Sequence, residues 1–192
     1  MILASKSPRR KEILQQLGFQ LKIQTKDIEE VSDKESVIDQ IKDISRKKVI
    51  AVAEENVDEY VVGADTVVEI DGIVLGKPQN ENDAEKMLKL LSGREHRVIT
   101  AYSIINLEKN IDITHSVESR VYFKNITEEE IKWYINSREP MDKAGSYGIQ
   151  GLGSIFVDKI DGDFFAIMGF PINHFIKTLN NLGITIESLN KI

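Results

Sequence analysis

The chain has 192 residues, of which 41% are hydrophobic and 29% are charged, and its formal net charge at pH 7 is −6. A chain of this length fits one domain, and we expect folding to bury roughly 70% of the surface of the unfolded chain, enough for a core. The negative net charge disfavours a general binder of nucleic acids or anionic membranes. We therefore expect neither partner, and any positive contacts with a polyanionic ligand must be local.

The compartment is inferred from cysteine usage and from the first residues. The chain contains no cysteine, which excludes disulfides and thiolate metal ligands and is consistent with a reducing compartment. A predicted strand begins at Met1 without the basic and apolar regions of a signal peptide, and no apolar run reaches the length of a membrane span. We expect a cytoplasmic protein.

The first third of the chain is predicted to alternate strands and helices. Residues 2–4 are expected to form a strand, and the helix after it has Ser7 as its N-cap and Gly18 as its left-handed cap. Residues 19–25 alternate like a half-buried strand. Residues 34–55 carry apolar side chains at helical spacing, which predicts a long amphipathic helix.

The rest of the chain continues the mixed pattern. We expect strands at 60–68, 73–75, 97–107, 113–124, 154–159 and 164–168, with hairpins at Asp71-Gly72 and Asp161-Gly162, and helices at 83–91, 127–135 and 171–182. No internal repeat or linker is visible. The prediction is one α/β domain over residues 1–192, built on a mixed, twisted sheet that is flanked by helices.

Asp65 is the first candidate functional residue. It lies in Tyr60-Val-Val-Gly-Ala-Asp-Thr-Val-Val68, an otherwise apolar run typical of a buried strand. A carboxylate there needs a cation, a metal ion or hydrogen-bond donors, because an unpaired buried charge is costly. It could bind a divalent ion or take a proton from an attacking water, or it could simply accept backbone hydrogen bonds. Gly63 would let another chain segment or a ligand approach closely, and Glu29-Glu30 is the natural acidic companion.

A pair of arginines, Arg9 and Arg10, lies in the first turn of the first predicted helix. The helix dipole disfavours cations at that end by about 0.3–1 kcal/mol each, whereas the free amides there attract anions. Two arginines are therefore well placed if a phosphate binds, and otherwise they are solvated surface residues. This segment alone does not decide between the two interpretations.

Two glycine-containing segments fail the usual nucleotide-loop patterns. Residues 72–77 are one residue short of a phosphate-binding loop, and Pro78 stands where Ser or Thr should follow, although Lys77 could still reach a phosphate as a point charge. Residues 143–153 have the wrong glycine order for a dinucleotide fingerprint. This second segment is either a flexible loop or a loop that reads a base, with Gln150 as the reader, because an amide both donates and accepts hydrogen bonds.

The remaining candidates carry weaker signals. The three histidines, His96, His115 and His174, lack metal-ligand spacing, and we expect them to have core or surface roles. Ser5 and Ser7 have no base nearby in the sequence, which gives little support to a serine hydrolase.

Five motifs occur in an order that resembles the Maf family of nucleotide pyrophosphatases, first known as septum-formation proteins. The resemblance runs from Leu3 to about Pro171, and five weak motifs in one order are together very specific. The motifs are Leu3-Ala-Ser-Lys-Ser-Pro-Arg-Arg10, Gly63-Ala-Asp-Thr-Val-Val68, Gly76-Lys-Pro78, Ser92-Gly-Arg-Glu-His-Arg-Val-Ile-Thr-Ala101 and Asp142-Lys-Ala-Gly-Ser-Tyr-Gly-Ile-Gln-Gly151.

The resemblance implies a role for individual positions. Asp65 matches the general base, and Glu30 matches the acid that helps Asp65 hold the divalent ion, although Glu29 could take its place by a shift of one residue. Four positions match residues thought to grip the triphosphate: Ser5, Arg10, Lys48 and Lys77. Three match the subfamily that resembles dTTP/UTP pyrophosphatases rather than the 7-methyl-GTP type: Arg9, Thr66 and Gln150.

The resemblance also implies an activity and an architecture. The expected reaction is hydrolysis of dTTP and UTP, or of modified pyrimidine nucleotides, to the monophosphate and pyrophosphate, with Mg²⁺ or Mn²⁺ as cofactor. The expected fold has two lobes with an active-site cleft, similar to inosine-triphosphate pyrophosphatases, and the expected assembly is a homodimer. An alternative is a regulatory module in cell-division arrest that senses nucleotide without significant turnover.

Overall fold

The computed structural model describes residues 1–185 and 187. Its strands are β1 (Ile2–Leu3), β2 (Lys22–Ile23), β3 (Val61–Ile70), β4 (Ile73–Leu75), β5 (Glu95–Asn106), β6 (Ile111–Phe123) and β7 (Val157–Asp161). Its α-helices are α1 (Pro8–Gln16), α2 (Val37–Ala53), α3 (Glu81–Leu91), α4 (Glu128–Asn136), α5 (Phe164–Met168) and α6 (Ile172–Asn181). Within these residues, no helix is long and apolar enough to cross a membrane.

The described strands form one mixed sheet. The order is β2-β1-β3-β5-β6-β7, and β4 pairs with β3 off this path. The pairs of β1 with β2 and with β3 are parallel, whereas β3–β4 and β6–β7 are antiparallel. The register pairs Leu3 with Val62 and Val68 with Leu75. The predicted class, a mixed α/β sheet with helices, is confirmed.

The chain divides into two compact units. Among the described residues, the first consists of residues 1–65, 100–117, 169–185 and 187, and the second of residues 66–99 and 118–168. The long strands β3, β5 and β6 therefore each contribute residues to both units. The prediction of one domain over residues 1–192 stays a prediction, as does the likeness to inosine-triphosphate pyrophosphatases.

Each unit has its own hydrophobic cluster. In the first unit, apolar residues of β1, α2, β3 and β5 pack together, with Val49, Val52 and Val61 fully buried. In the second unit, the cluster joins α3 and α4 to β3–β7 and is rich in aromatic rings, including Tyr134 and Phe156. The first cluster fixes α2, the helix that carries Lys48.

Most of the predicted elements are confirmed, with the chemistry expected at their ends. The side chain of Ser7 caps α1, and Asp71 and Gly72 both have positive φ in the β3–β4 hairpin. The capping box is present, since Thr127 accepts from the Glu130 amide and Glu130 accepts from the Thr127 amide. These caps and this turn are therefore predicted correctly from the local sequence.

The strand predicted at 19–25 is largely wrong, because only Lys22–Ile23 is strand and both residues are exposed. The reason is its partner. β1 is two residues long, since the chain turns at Ser5 into α1, and β2 has no other neighbour in the sheet order. An edge strand cannot extend beyond the residues that its one neighbour offers.

The hairpin predicted around Asp161-Gly162 is also wrong. Residues 164–168 form the helix α5, and β7 pairs with β6 instead. Asp163 is the cause, because its Oδ1 atom accepts hydrogen bonds from the amides of Phe165 (2.8 Å) and Ala166 (3.2 Å). A carboxylate that caps the first amides favours a helix start over a strand.

Candidate active site

Asp65 lies in β3 at the point where the strand becomes partly exposed. Residues 61–64 and 68–70 are buried, whereas Asp65, Thr66 and Val67 are of intermediate exposure. The carboxylate is therefore reachable, yet its side chain is only 17% exposed. Such a group needs a charged partner, and the structure provides one.

Lys48 of α2 joins two carboxylates. Its Nζ atom lies 2.7 Å from Asp65 Oδ1 and 2.6 Å from Glu30 Oε2. The Lys48 side chain is 16% exposed and that of Glu30 is 59% exposed, so that the Asp65 contact is the more buried of the two. Glu30, and not Glu29, pairs with Lys48 in this arrangement.

Gly63 explains how Lys48 reaches Asp65. A Cβ atom at Gly63 would lie 2.7 Å from Val49 Cγ2 and 3.4 Å from the Ala4 carbonyl oxygen. Helix α2 can therefore approach β3 this closely only because residue 63 has no side chain. The expected close approach is confirmed, but Val49 makes it rather than a ligand. Lys48 precedes Val49, and its ammonium meets Asp65 two residues along the strand.

Arg10 faces inward from the first turn of α1. Its Nε donates to the Gly169 carbonyl (2.9 Å) and its Nη1 donates to Ser5 Oγ (3.3 Å). Ser5 is buried, and its hydroxyl also accepts from the Ser7 amide at 3.2 Å. The interpretation of Arg10 as a solvated surface arginine is therefore wrong. The contact with Gly169 had no signal in the sequence, because a backbone carbonyl 159 residues away leaves no motif.

Electrostatics link Arg10 to the same acidic pair. Burial lowers the pKa of the Arg10 guanidinium, and the attraction of Asp65 opposes that shift. The neighbouring charge of Arg9 lowers the pKa further, whereas Glu30 raises it. The first unit thus brings five of the predicted site residues into one charged cluster: Ser5, Arg10, Glu30, Lys48 and Asp65. Arg9 is half-buried and follows the Pro8 turn of α1.

The other three predicted site residues, Thr66, Lys77 and Gln150, belong to the second unit. Thr66 follows Asp65 in β3 and is half-buried. Lys77 is exposed just after β4, and it forms no ion pair among the described residues. Gln150 is exposed in the glycine-rich segment, and its side chain makes no hydrogen bond in the described part of the chain. Both side chains are available to a ligand.

The glycine-rich segment is held in place in the second unit. The Gly145 amide donates to the Gly76 carbonyl at 3.1 Å, which joins this segment to the one that carries Lys77. Gly145 has φ of 65°, and a Cβ atom there would lie 2.8 Å from Val68 Cγ2. The segment therefore packs directly on β3, and it contains short 3₁₀ turns at Ala144–Ser146 and Leu152–Phe156.

The donors present in the charged cluster bear on the expected divalent ion. Among residues 1–185 and 187, no group of three or more His, Cys, Asp or Glu side chains could hold a metal ion. Asp65 and Glu30 nevertheless each place one carboxylate oxygen on the same cation, the Lys48 ammonium. Mg²⁺ in enzymes is often bound by one or two carboxylates together with substrate phosphates. The pair fits an ion that is shared with a phosphate ligand.

The histidines have structural roles, as expected. His96 is 2% exposed, and its Nε2 atom lies 2.8 Å from the Tyr147 hydroxyl. Burial lowers its pKa to about 4. His174 Nδ1 lies 2.7 Å from the Tyr102 hydroxyl, beside the ring of His115.

Comparison with known proteins assigns the chain to a family. Residues 1–182 match the family described as Maf-like protein, and the chain belongs to it. A Fusobacterium nucleatum protein named dTTP/UTP pyrophosphatase is 51% identical over 192 residues, which is 100% of each chain. Proteins of the same name from Bacillus cereus and Bacillus thuringiensis are each 45% identical over 187 residues, covering 97% of both chains.

A solved structure, that of the Staphylococcus aureus Ham1 protein, is also similar to this chain. It aligns with 64% of this chain and 70% of its own, with a TM-score of 0.45 and 13% sequence identity. A likeness of this size carries no argument about fold or function.

Proposed function

We propose that this protein is a nucleoside triphosphate pyrophosphatase that hydrolyses dTTP and UTP to the monophosphate and pyrophosphate. Family membership and the relatives named dTTP/UTP pyrophosphatase support the activity and the substrate class. The observation that carries the proposal is the convergence of Asp65 and Glu30 on Lys48, with Arg10 close enough for its charge to interact with both acids.

Asp65 is the general base in this proposal. It takes a proton from a water that attacks the α-phosphorus, and the bond from that phosphorus to the bridging oxygen of the β-phosphate breaks. The electron pair leaves with pyrophosphate. The Asp65 carboxylate is partly exposed at the surface of β3 and held by an ammonium, so that it is oriented and still accessible to water.

The cations of the cluster bind the triphosphate. Arg10 presents a planar guanidinium beside the buried Ser5 hydroxyl, which suits phosphate oxygens. Lys48 exchanges its carboxylate partners for phosphate as substrate arrives, and Lys77 adds a flexible point charge. These groups offset the negative charge that develops on the leaving pyrophosphate.

Glu30 and Asp65 would hold the divalent ion, Mg²⁺ or Mn²⁺. When bound, such an ion neutralises phosphate oxygens and helps to orient the triphosphate. The two carboxylates are hard oxygen ligands that each contact the Lys48 ammonium, which is the support for this assignment.

Arg9, Thr66 and Gln150 select the base. The exposed Gln150 amide can donate to and accept from a pyrimidine edge, and modification at the 5-position leaves that edge intact. Modified pyrimidine nucleotides are therefore accepted as well, which would make the enzyme a house-cleaning one. We further propose that the protein is a homodimer in the cytoplasm. The absence of cysteine supports the cytoplasmic location and has no bearing on the homodimer.

The test is pyrophosphate release by the purified protein with Mg²⁺ or Mn²⁺ across dTTP, UTP, CTP, ATP, GTP and 7-methyl-GTP. We expect selective turnover of dTTP and UTP. In ¹⁸O-labelled water, the label should enter the nucleoside monophosphate, because attack is at the α-phosphorus. Label in pyrophosphate would contradict that mechanism.

Two other outcomes would redirect the proposal. Turnover centred on 7-methyl-GTP would keep the reaction and overturn the roles of Arg9, Thr66 and Gln150. Binding of nucleotide without turnover would favour a sensor of nucleotide over an enzyme.

A further inference from the structure

The carboxylate of Glu139 binds backbone amides on one side of Gln150. Its Oε2 atom accepts from the Leu152 amide at 2.9 Å, and its Oε1 atom accepts from the Gly153 amide at 3.1 Å. Glu139 begins a 3₁₀ turn (Glu139–Asp142) that follows α4. A side chain of another element therefore fixes the backbone directly after Gln150.

Tyr134 of α4 fixes the backbone before Gln150. Its hydroxyl accepts from the Gly148 amide at 3.1 Å and donates to Glu139 Oε1 at 3.0 Å. Tyr134 is fully buried, so that this ring is itself held by the core of the second unit. Both ends of residues 148–153 thus converge on one hydrogen-bonded pair of side chains, which we call the Tyr134–Glu139 clamp.

The glycines of this segment are what allow the clamp to close. A Cβ atom at Gly151, where φ is 102°, would lie 2.8 Å from Glu139 Oε2, and one at Gly153 would lie 2.6 Å from the Tyr134 hydroxyl oxygen. Larger residues at either position would separate the carboxylate from the amides. The glycines here serve close contact, which contradicts the interpretation of the segment as a flexible loop.

The Tyr134 hydroxyl remains a donor at physiological pH. Burial raises the pKa of the phenol, and the nearby negative charge of Glu139 raises it further, although the Gly148 amide opposes the shift. A protonated phenol is the form that can donate to the carboxylate. The Tyr134 hydroxyl therefore still donates to the Glu139 carboxylate at physiological pH.

We propose that Glu139 and Tyr134 are positioning residues for base recognition, holding residues 148–153 so that the Gln150 amide meets the pyrimidine edge. This inference rests on the proposed function. Gln150 is the exposed residue in the middle of the clamped segment, and its own side chain has no hydrogen-bond partner among the described residues. A reading amide without side-chain support must be oriented through its backbone, and the clamp supplies that orientation.

The test compares Glu139→Ala and Glu139→Gln with wild type, using UTP and CTP as substrates. Glutamine keeps one acceptor oxygen, so that the losses in Glu139→Gln should lie between those of wild type and Glu139→Ala. The fold of Glu139→Gln should also be better preserved. For Glu139→Ala we expect kcat/KM for UTP to fall about 10- to 100-fold, the loss that follows a small misplacement of a contact. The preference for UTP over CTP should shrink in parallel, and the Leu152 and Gly153 amides should exchange hydrogen faster.

Two further variants separate positioning from simple stabilisation. Glu129→Ala removes an exposed glutamate of α4 outside the clamp and should leave kcat/KM and the preference unchanged. In a Gln150→Ala background, Glu139→Ala should add little to the loss of preference, because residues that act through one another are not additive.

The outcomes are distinguishable. The positioning role would be overturned if the UTP/CTP preference were unchanged in Glu139→Gln and Glu139→Ala, whether kcat/KM stays at the wild-type value or falls equally for both nucleotides. If Glu139→Ala does not fold, Glu139→Gln decides by the same criteria. If wild type turns over no nucleotide, the proposed function fails and base recognition fails with it. Amide exchange in Glu139→Gln then still decides whether the clamp holds the segment.

Discussion

Two carboxylates of this protein, Asp65 and Glu139, are held in opposite ways. Asp65, in the first compact unit, is paired with the ammonium of a lysine side chain. Glu139, in the second, is bound by two backbone amides and a buried phenol. A side-chain ion pair can exchange partners when a ligand arrives, whereas backbone amides cannot move without the chain. In the proposed mechanism, the base Asp65 is thus held by a partner that a ligand can replace, whereas Glu139, which we propose supports recognition, is held by the backbone.

Exposure supports this contrast. The Glu30 side chain, which shares Lys48 with Asp65, is 59% exposed, and ion pairs of that kind contribute about 0–1 kcal/mol. Its contact with Lys48 is therefore weak enough to be replaced by a phosphate. Tyr134, in contrast, is fully buried, so that breaking its hydrogen bonds would leave polar groups without partners in the core.

The largest effect is expected from Asp65→Asn. Asparagine has the same shape but cannot accept the proton of the attacking water, so that kcat should fall about 10²- to 10⁴-fold. The free energy of unfolding should fall only slightly, because the asparagine side-chain oxygen can still accept a hydrogen bond from the Lys48 ammonium and Glu30 remains its ion-pair partner. Steady-state pyrophosphate release and urea unfolding measure the two quantities.

The control for this variant is Asp112→Asn, which removes a carboxylate of the same unit that pairs with Arg46 outside the cluster. It should keep wild-type kcat. An active Asp65→Asn variant would remove Asp65 from the role of base.

His96 makes the stability of the second unit dependent on pH. Its folded-state pKa of about 4 lies below the ordinary 6.5, so that the unfolded chain binds the proton more strongly. The contribution of neutral His96 to the free energy of unfolding is fully present above about pH 6.5. This contribution, on the order of 3 kcal/mol, is lost as the pH falls towards 4.

His96→Gln should remove that part of the pH dependence, since glutamine can bond the Tyr147 hydroxyl without titrating. The measurement is the free energy of urea unfolding at several pH values between 7 and 4. His115→Gln, at an exposed position, should change the pH dependence of the free energy of unfolding much less. Equal pH slopes in wild type and His96→Gln would contradict the assignment.

Gly63→Ala tests whether the close packing of α2 on β3 aligns Lys48 with Asp65. The new methyl group would meet Val49 Cγ2 at 2.7 Å, and Val49 is fully buried, so that α2 must shift. Overpacking of this kind costs about 1–3 kcal/mol of stability. Because Lys48 adjoins Val49, kcat/KM should fall as well. Gly76→Ala, where no atom lies within 4 Å of the new methyl group, should keep wild-type stability. A stable and fully active Gly63→Ala variant would show that the close contact does not align Lys48.

The sequence predicts this fold where the signals are local. Caps, hairpin turns and amphipathic periods located most helices and strands, and Asp65 stood out because a charge in an apolar run needs a partner. The failure at 19–25 came from the length of a neighbouring strand, which local sequence does not show, whereas that at 164–168 came from a local capping aspartate that was not recognised.

The predicted site residues divide in the same way. Lys48 carries no local mark of function, and its role was implied only by the family resemblance. That it would bridge Asp65 and Glu30 depends on the approach of α2 to β3, which spans 17 residues of sequence between Lys48 and Asp65. Tertiary contacts of this kind, like that of Arg10 with Gly169, have no pattern that a single sequence reveals.

The smallest effect is expected from Lys77→Ala. Lys77 is exposed and has no ion-pair partner among residues 1–185 and 187, so that its removal should leave the free energy of unfolding unchanged. Because Lys77 is proposed to bind the triphosphate as a point charge, its removal should raise KM for UTP roughly tenfold, with a smaller change in kcat. Lys86→Ala, another exposed lysine of the second unit, is the matched control and should keep wild-type KM. A Lys77 variant with unchanged KM would restrict triphosphate binding to the charged cluster of the first unit. The second unit would then contribute base recognition only.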